Sequence, residues 1–215
     1  MIDSEGDERM RECECAIKKR AERLIERAGI SDAFKQCRFE NYKTPTSILD
    51  GAKKTAQAYA AAFHDIERSS QNSLLLSGEV GCGKTMLGVC VLNTLVQDGV
   101  YVLYAPYRDM VMRLKSLVLD DREYKAEIER LCKPRVLYID DLYKGRTDAD
   151  AKYVYDVINA RYLAKKPLVI TTELTADKLL DVDEAVGSRI IQMCRDYIYE
   201  LRGAGLNYRL CGLGC

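Results

Sequence analysis

The segment GEVGCGKT, residues 78 to 85, constrains this chain more than any other stretch. It fits the pattern G-x-x-x-x-G-K-[ST], follows the apolar run LLLS and precedes the helical pattern TMLGVCVLNTLV. Such a strand, loop and helix bind phosphate, because the glycines turn backbone N–H groups inward and the helix offers its positive end. The residues predicted to bind a nucleotide here are Gly78, Glu79, Val80, Gly81, Cys82, Gly83, Lys84, Thr85 and Met86.

A second motif, RVLYIDD at residues 135 to 141, supports the first. It is a buried-strand pattern ending in two carboxylates, so Asp140 is placed at the carboxyl end of a strand beside the loop. We expect Lys84 to reach the β- and γ-phosphates, and Thr85 and Asp140 to hold Mg²⁺. Asp141 is predicted to orient the attacking water. The alternatives are a chance glycine turn at the first motif and a solvated acidic turn at the second. Because both motifs occur in the same chain, a catalytic ATP site is favoured.

From residue 73 onward, short apolar runs alternate with segments of helical length. The runs are LLLS, VYVLYA, RVLYID, LVITT and YIYEL, separated by residues 84 to 97, 108 to 131 and 149 to 164. This alternation predicts an α/β fold, with a parallel β-sheet flanked by helices. Upstream, residues 8 to 28 and 47 to 68 are predicted to be helices. We expect one ATPase domain at 37 to 215, preceded by a helical N-terminal extension at 1 to 36.

Composition narrows the choice of partners and compartment. Lys and Arg together number 33, as do Asp and Glu, so no global basic field attracts nucleic acid. No run approaches the roughly 20 apolar residues of a membrane span, and the N-terminus MIDSEGDERM is acidic, unlike a signal peptide. The nine cysteines are an odd number, and one lies in the glycine loop, which favours reduced thiols. A cytoplasmic protein without membrane contact is therefore expected.

The order of these motifs resembles a known family. The glycine loop, the strand ending in Asp-Asp, LVITTELT and GSRI are together similar to AAA+ helicase loaders of the DnaC type and to IstB-like transposition helpers. The lead-in CRFENY, followed by AQAYAAAF, resembles the same group, and the likeness runs from about residue 37 to 210. The resemblance implies a P-loop NTPase of the AAA+ type. With about 14 residues left after YIYEL, little or no C-terminal lid is expected.

The resemblance also assigns two further residues to the ATP site. The strand LVITTELT would place Thr172 as a sensor of the γ-phosphate, although Glu173 stands where many relatives have Asn. A carboxylate cannot donate a hydrogen bond unless it is protonated, so Thr171 and Thr172 could instead be ordinary strand residues. Arg189 in GSRI matches the arginine-finger position, which implies a homo-oligomer with ATP at its subunit interfaces. A surface arginine in a helix-end salt bridge is the alternative.

The resemblance further implies a helical segment facing single-stranded DNA between the second strand and RVLYIDD. The predicted contacts are Tyr107, Arg108, Arg113 and Lys115. Acidic residues interspersed among them leave an ordinary solvated helical face as the alternative. Related loaders often carry an N-terminal zinc module, and the pair Cys13 and Cys15 resembles half of one. Because a structural zinc needs four ligands and only Cys37 and His64 remain as distant candidates, we do not expect zinc.

Three functions remain open on these grounds. The resemblance implies ATP-dependent loading of a DnaB-type replicative helicase onto single-stranded DNA, with ATP hydrolysed in an oligomer. A transposition helper would share the ATPase core, so the N-terminal extension and the protein that it captures would discriminate the two. A nucleotide-gated binding module with negligible turnover is the third, and Asp141 and Arg189 argue against it because a pure binder needs neither.

Overall fold

A five-stranded parallel sheet forms the centre of the computed structural model, which describes residues 31–208 and residue 210. The strand order is β2-β3-β4-β1-β5, with every neighbouring pair parallel. The predicted parallel sheet is confirmed. The strands are β1 (Leu74–Gly78), β2 (Val102–Pro106), β3 (Val136–Leu142), β4 (Leu168–Thr172) and β5 (Ile198–Leu201).

Helices cover both faces of this sheet. They are α1 (Asp32–Lys35), α2 (Ser47–Ile66), α3 (Lys84–Gln97), α4 (Tyr107–Leu117), α5 (Asp121–Cys132), α6 (Ala151–Leu163), α7 (Ala176–Val182) and α8 (Glu184–Cys194). Side chains alternate along β1, so that Leu74 and Leu76 face a core shared with α2 and α3, while Leu75 faces the core under α4, α6 and α8. Because the strands are parallel, the phosphate loop after β1 and the carboxylates at the end of β3 lie at the same edge of the sheet.

Local capping explains where several helices begin. The Thr46 hydroxyl accepts a hydrogen bond from the Leu49 amide and starts α2, which was predicted over 47 to 68. The predicted helical stretch 108 to 131 divides in two, because the Asp120 carboxylate accepts from the amides of Arg122 and Glu123 and begins α5. The helix predicted over residues 8 to 28 lies outside the described residues, as do Cys13 and Cys15.

The segment between β4 and β5 forms the helix pair α7 and α8, which the apolar runs did not predict. Asp183 begins α8 by accepting a hydrogen bond from the Val186 amide. Gly187 lies against the backbone of α7, where a Cβ atom would come within 2.7 Å of the Leu179 carbonyl oxygen. The glycine of GSRI therefore lets the two helices approach each other, and this packing fixes the position of Arg189 on α8.

A fully buried arginine lies at the edge of the sheet opposite the phosphate loop. The Arg161 guanidinium on α6 donates to the carbonyl oxygens of Leu131, Pro134, Arg135 and Pro167 at 2.6 to 3.3 Å. Burial lowers the pKa of Arg161 to about 10, so the group still carries its charge at neutral pH. One side chain thus ties α5 to the start of β3 and to the residue that precedes β4.

Residues just before the predicted domain boundary contact the core. The Asn93 amide on α3 donates to the carbonyl oxygens of Phe34 and Cys37 at 3.0 and 2.9 Å, and α1 packs on α3. The boundary after residue 36 remains a prediction. In the part of the chain that the structure describes, no helix is both long and apolar enough to cross a membrane.

Candidate nucleotide-binding site

The glycine loop joins β1 to α3, and its backbone is shaped by its glycines. Gly78, Gly81 and Gly83 have φ angles of 142°, 78° and 82°, a region that favours glycine. At Gly78 the backbone also passes so close to β5 that a Cβ atom would lie 2.2 Å from the Leu201 carbonyl oxygen. Gly83 is the N-cap of α3, so the loop leads directly into the helix N-terminus that favours phosphate.

The loop forms one wall of a cavity that is open to solvent. The residues around it are Phe34, Val80, Gly81, Gly83, Lys84, Thr85, Met86, Asp141, Lys144, Glu173 and Tyr208. Six of the predicted loop residues and the predicted catalytic Asp141 therefore meet at one cavity.

Lys84 is buried at the base of this cavity and is held by the loop itself. Its ammonium group donates to the carbonyl oxygens of Gly78 and Glu79 at 2.9 and 2.7 Å. Cys82 is buried beneath the loop with its sulfur 2.9 Å from the Glu79 carbonyl oxygen. Burial raises the pKa of Cys82 despite the nearby Lys84 charge, so this thiol stays neutral and fills space.

Asp140 is nearly buried at the end of β3 and accepts hydrogen bonds from four hydroxyl groups. Thr85, Tyr138 and Thr171 donate to its Oδ1 at 3.0, 2.8 and 2.5 Å, and Tyr104 donates to Oδ2 at 2.8 Å. The carboxylate is thereby fixed against the first turn of α3. The Thr85 hydroxyl and the Asp140 carboxylate are hard oxygen ligands that suit Mg²⁺, so the predicted metal pair fits that ion.

The two tyrosines on Asp140 were missed by the sequence analysis. Burial and the negative charge of Asp140 raise the pKa of Tyr104 and of Tyr138, which keeps both hydroxyls protonated as donors. Tyr138 also requires Gly88 on α3, where a Cβ atom would lie 2.4 Å from the Tyr138 hydroxyl oxygen. The available signal was the alternation of β3, which puts Tyr138 on the same face as Asp140.

Asp141 occupies a position of unusual backbone geometry beside the cavity. Its φ angle is 55°, and its amide donates to the Thr171 hydroxyl at 2.9 Å, so Thr171 links both carboxylate residues. The Asp141 carboxylate accepts from the Lys144 ammonium at 2.9 Å, and Lys144 also pairs with Glu173 at 2.9 Å. The hydrogen bond to Asp141 and the ion pair with Glu173 raise the pKa of Lys144.

The structure does not bring Thr172, the predicted sensor, to the cavity. Its buried hydroxyl donates to the Leu142 carbonyl oxygen at 2.8 Å and accepts from the Leu174 amide. Glu173 does line the cavity, and the neighbouring Thr171 contacts Asp140. The polar groups that β4 contributes to this site are therefore those of Thr171 and Glu173.

Aromatic side chains pack beside the glycine loop at this cavity. Phe34 and Tyr208 line the cavity, and the Tyr208 amide donates to the Gly81 carbonyl oxygen at 2.9 Å. Tyr42, from the segment CRFENY, lies 5.4 Å from the Tyr208 ring between centroids and donates to the Cys82 carbonyl oxygen. Phe34 and Tyr208 were missed because they lie in the predicted extension and beyond the last apolar run.

Arg189 does not line this cavity, and its side chain packs on its own chain. The guanidinium carbon lies 5.4 Å from the ring centroids of both Tyr155 and Tyr162 on α6. One nitrogen donates to the Ala185 carbonyl oxygen at 2.6 Å, while the buried Nε has no acceptor among the described residues. Arg189 is therefore placed by aromatic stacking, and its role as an arginine finger stays a prediction.

The four predicted DNA contacts lie on α4 in different environments. The Tyr107 ring is 2% exposed and its hydroxyl donates to Asp150 at 2.9 Å, so the prediction of a base-stacking face on Tyr107 is wrong. Lys115 pairs with Asp150 at 2.5 Å, and Arg113 lies 4.0 Å from Glu127. Arg108 is exposed. Burial of the ring follows from its position at the first turn of α4, packed beneath the loop after β3.

Asp150 is predicted to make the free energy of unfolding depend on pH. Burial alone would raise its pKa, but hydrogen bonds from Lys115, Thr147 and Tyr107 outweigh that effect and hold the pKa well below its usual value. Because the pKa is lower in the folded state, the ionised carboxylate stabilises the fold at pH values above its unfolded-state pKa of about 3.9. This stabilisation is lost as the pH falls through the folded-state pKa.

We therefore expect Asp150→Asn to lower the free energy of unfolding by about 2 kcal/mol at pH 7. The difference from the wild type should begin to shrink below about pH 4 and continue to shrink as the pH falls further. Urea unfolding followed by circular dichroism between pH 7 and pH 2.5 measures it. A difference that stays constant over this range would contradict the assigned pKa direction.

A structural zinc site would need four ligands close together. Within residues 31–208 and 210, no group of three or more His, Cys, Asp or Glu side chains is arranged to hold a metal ion. Cys37 is buried and His64 contacts Phe63 edge to face, 5.6 Å between ring centroids. The two do not form such a group.

Comparison with known proteins identifies the family. The model of the family described as IstB-like ATP binding protein matches residues 13–192, so the chain belongs to this family of ATP-binding proteins. The chain is 41% identical over 212 residues to YqaM of Bacillus subtilis strain 168, covering 93% of this chain and 66% of YqaM. It is 36% identical to the phage-like element PBSX protein XkdC of the same strain, covering 94% of this chain and 79% of XkdC.

More distant matches include a protein of known role and solved structures. The replicative helicase loader DnaC of Escherichia coli K12 is 24% identical over 179 residues, covering 81% of this chain and 69% of DnaC. The crystal structure of the DnaC helicase loader aligns with a TM-score of 0.68 at 20% identity, covering 80% of this chain and 100% of that one. The structure of AMPPCP-bound DnaA from Aquifex aeolicus aligns with a TM-score of 0.61 at 19% identity, covering 78% of this chain and 50% of the DnaA chain. The fold is that of the P-loop AAA+ proteins.

Proposed function

We propose that this protein is a Mg²⁺-dependent ATPase that loads a DnaB-type replicative helicase onto single-stranded DNA. The observation that carries the proposal is the convergence of the phosphate loop with Asp140 and Asp141 at one cavity, in a chain similar to the loader DnaC. The ATPase part of the proposal rests on the geometry of the site. The loading part rests on the similarity.

The residues that line the cavity favour one direction for ATP. The phosphates would lie against the loop amides and Lys84, where the α3 N-terminus adds positive potential. The adenine would lie toward Phe34 and Tyr208, because an aromatic ring stacks well on a base and the opposite end is charged. Thr85 and Asp140 would hold Mg²⁺, which neutralises charge on the phosphate oxygens when it is bound.

Hydrolysis requires a base for water, and the position of Asp141 at the cavity supports assigning it that role. Its carboxylate is 36% exposed at the cavity and would accept the proton of the attacking water. A new bond forms between the water oxygen and the γ-phosphorus, and the bond to the bridging oxygen breaks, which yields ADP and inorganic phosphate. Lys84 would stabilise the negative charge that shifts onto the bridging oxygen.

Arg189 supports an oligomeric mechanism. It does not reach the cavity of its own chain, yet its buried Nε has no acceptor among the described residues. We assign it to the γ-phosphate held by a second copy of the chain, where its planar fork would neutralise charge in the transition state. ATP would then lie at subunit interfaces of a homo-oligomer, and hydrolysis would depend on assembly.

Contact with DNA would rely on the cations of α4. The side chains of Arg113 and Lys115 are 58% and 38% exposed, and Arg108 is exposed as well. Two of these three cations are already paired with carboxylates, so their free energy of binding to phosphate is reduced by the competing pairs. Binding to single strands should be weak and should fall steeply as salt concentration rises.

A transposition helper is the second candidate, because the matching family is described as IstB-like. Immobilised chain should be tested for capture of a purified DnaB-type helicase, and of the transposase of an IstB-containing element, with ATP, ADP and no nucleotide. Nucleotide-dependent capture of the helicase, weakened in Lys84→Ala, supports loading. Capture of the transposase alone supports the second candidate, and capture of neither would refute both.

A further inference from the structure

Lys144 is the cation at the cavity that the assigned chemistry leaves without a role. It lies two residues after the end of β3, follows Tyr143 in a left-handed backbone conformation, and is 43% exposed. Its ammonium is 2.9 Å from the Asp141 carboxylate and 2.9 Å from the Glu173 carboxylate. All three side chains line the same cavity as the glycine loop.

Glu173 creates an electrostatic problem that Lys144 can solve. Its carboxylate faces a cavity that must accept the γ-phosphate, and two anions at short range repel each other strongly where water is partly excluded. A residue at this position that donated a hydrogen bond would favour the phosphate, whereas an ionised carboxylate only accepts. A bridging cation is therefore needed before the terminal phosphate can bind near β4.

We propose that Lys144 binds the γ-phosphate and serves as the sensor that distinguishes ATP from ADP in this chain. This inference rests on the proposed ATP site. Glu173 positions that ammonium at the cavity. The γ-phosphate carries a larger negative charge than either carboxylate and would attract the ammonium by charge-assisted hydrogen bonds. With ADP, Lys144 keeps its present pairing with Asp141 and Glu173.

This arrangement links nucleotide state to the catalytic base. While Lys144 donates to Asp141, that carboxylate is engaged and is less available to accept a proton from water. When the γ-phosphate draws the ammonium away, the Asp141 carboxylate becomes available to the water that attacks. The pairing raises the pKa of Lys144, so the group remains charged throughout the neutral range.

The test compares the affinities for a non-hydrolysable ATP analogue and for ADP, by calorimetry on the full chain with Mg²⁺. We expect Lys144→Met to reduce the preference for the triphosphate by about tenfold while the affinity for ADP changes by less than about twofold. Adding Glu173→Gln to Lys144→Met should recover about half of that loss on a logarithmic scale, because the unpaired carboxylate is removed. Lys152→Met, at an exposed position on α6, is the matched control and should leave both affinities unchanged.

The outcomes separate this role from the ATP site itself. Equal weakening of both nucleotides in Lys144→Met, or an unchanged ratio, would overturn the sensor role and leave the site in place. No recovery in the double variant would overturn the part assigned to Glu173. A wild-type chain that binds neither nucleotide would overturn the proposed site and this role with it, and thermal melting confirms that each variant is folded.

Discussion

Replacing Arg161 with Leu is expected to lower the free energy of unfolding by about 4 kcal/mol. The side chain is fully buried and donates four hydrogen bonds to backbone carbonyl groups of three separate segments. Leu fills much of the volume but removes these four donors. The Pro167 oxygen keeps the Leu137 amide as a donor, and each buried acceptor that is left unsatisfied costs on the order of 1–3 kcal/mol. Urea denaturation of purified protein, followed by far-ultraviolet circular dichroism, measures the change.

Two further variants separate loss of the hydrogen bonds from loss of charge. Arg161→Lys keeps the charge but reaches fewer carbonyls, so we expect roughly half the destabilisation of Leu. Arg68→Leu, at an exposed arginine after α2, should change the free energy of unfolding by less than about 0.5 kcal/mol. An Arg161→Leu protein with the wild-type midpoint would show that the buried guanidinium does not hold α5, β3 and β4 together.

The second large effect is expected at the phosphate loop. Lys84→Ala should reduce the second-order rate constant for ATP hydrolysis by about 100- to 1000-fold, the usual cost of removing one donor that stabilises developing charge. In the structure its ammonium contacts the loop carbonyls of Gly78 and Glu79, a position from which it can turn to the phosphates. Phosphate release, measured at several ATP concentrations, gives the rate constant.

The matched control is Lys54→Ala, on the exposed face of α2. Its pair with Asp50 is solvated, so neither hydrolysis nor stability should change measurably. If Lys84→Ala hydrolysed ATP as fast as the wild type, the activity would belong to another site or to a contaminant. Comparison of the melting curves of the two variants excludes unfolding as the cause of a loss.

Much of the fold follows from local patterns in the sequence. Short apolar runs separated by helix-length segments specify a parallel sheet, and the helix predicted at 84 to 97 is observed as Lys84–Gln97. The glycine loop and the pair Asp140 and Asp141 meet as expected, because parallel strands end at the same edge of a sheet. Their roles with ATP and Mg²⁺ remain proposals that the variants above test.

Other parts of the site depend on contacts between residues that are distant in the chain. Tyr104 and Tyr138 looked like strand residues, and only their convergence on Asp140 shows that they position it. Lys144 gave no pattern of its own, because its pairing with Glu173 spans two strands. The burial of Tyr107 could not be read from α4 alone, since the covering residues come from the loop after β3.

The central claim is that ATP is hydrolysed at a site completed by Arg189 of a second copy of the chain. The direct test measures ATP hydrolysis with single-stranded DNA for the wild type, Arg189→Ala, Asp141→Asn and an equal mixture of the two variants. The account predicts turnover by the wild type, little by either variant alone, and partial recovery in the mixture, where an intact Asp141 can meet an intact Arg189. A mixture no more active than its parts, or full activity in Arg189→Ala, would contradict a shared site.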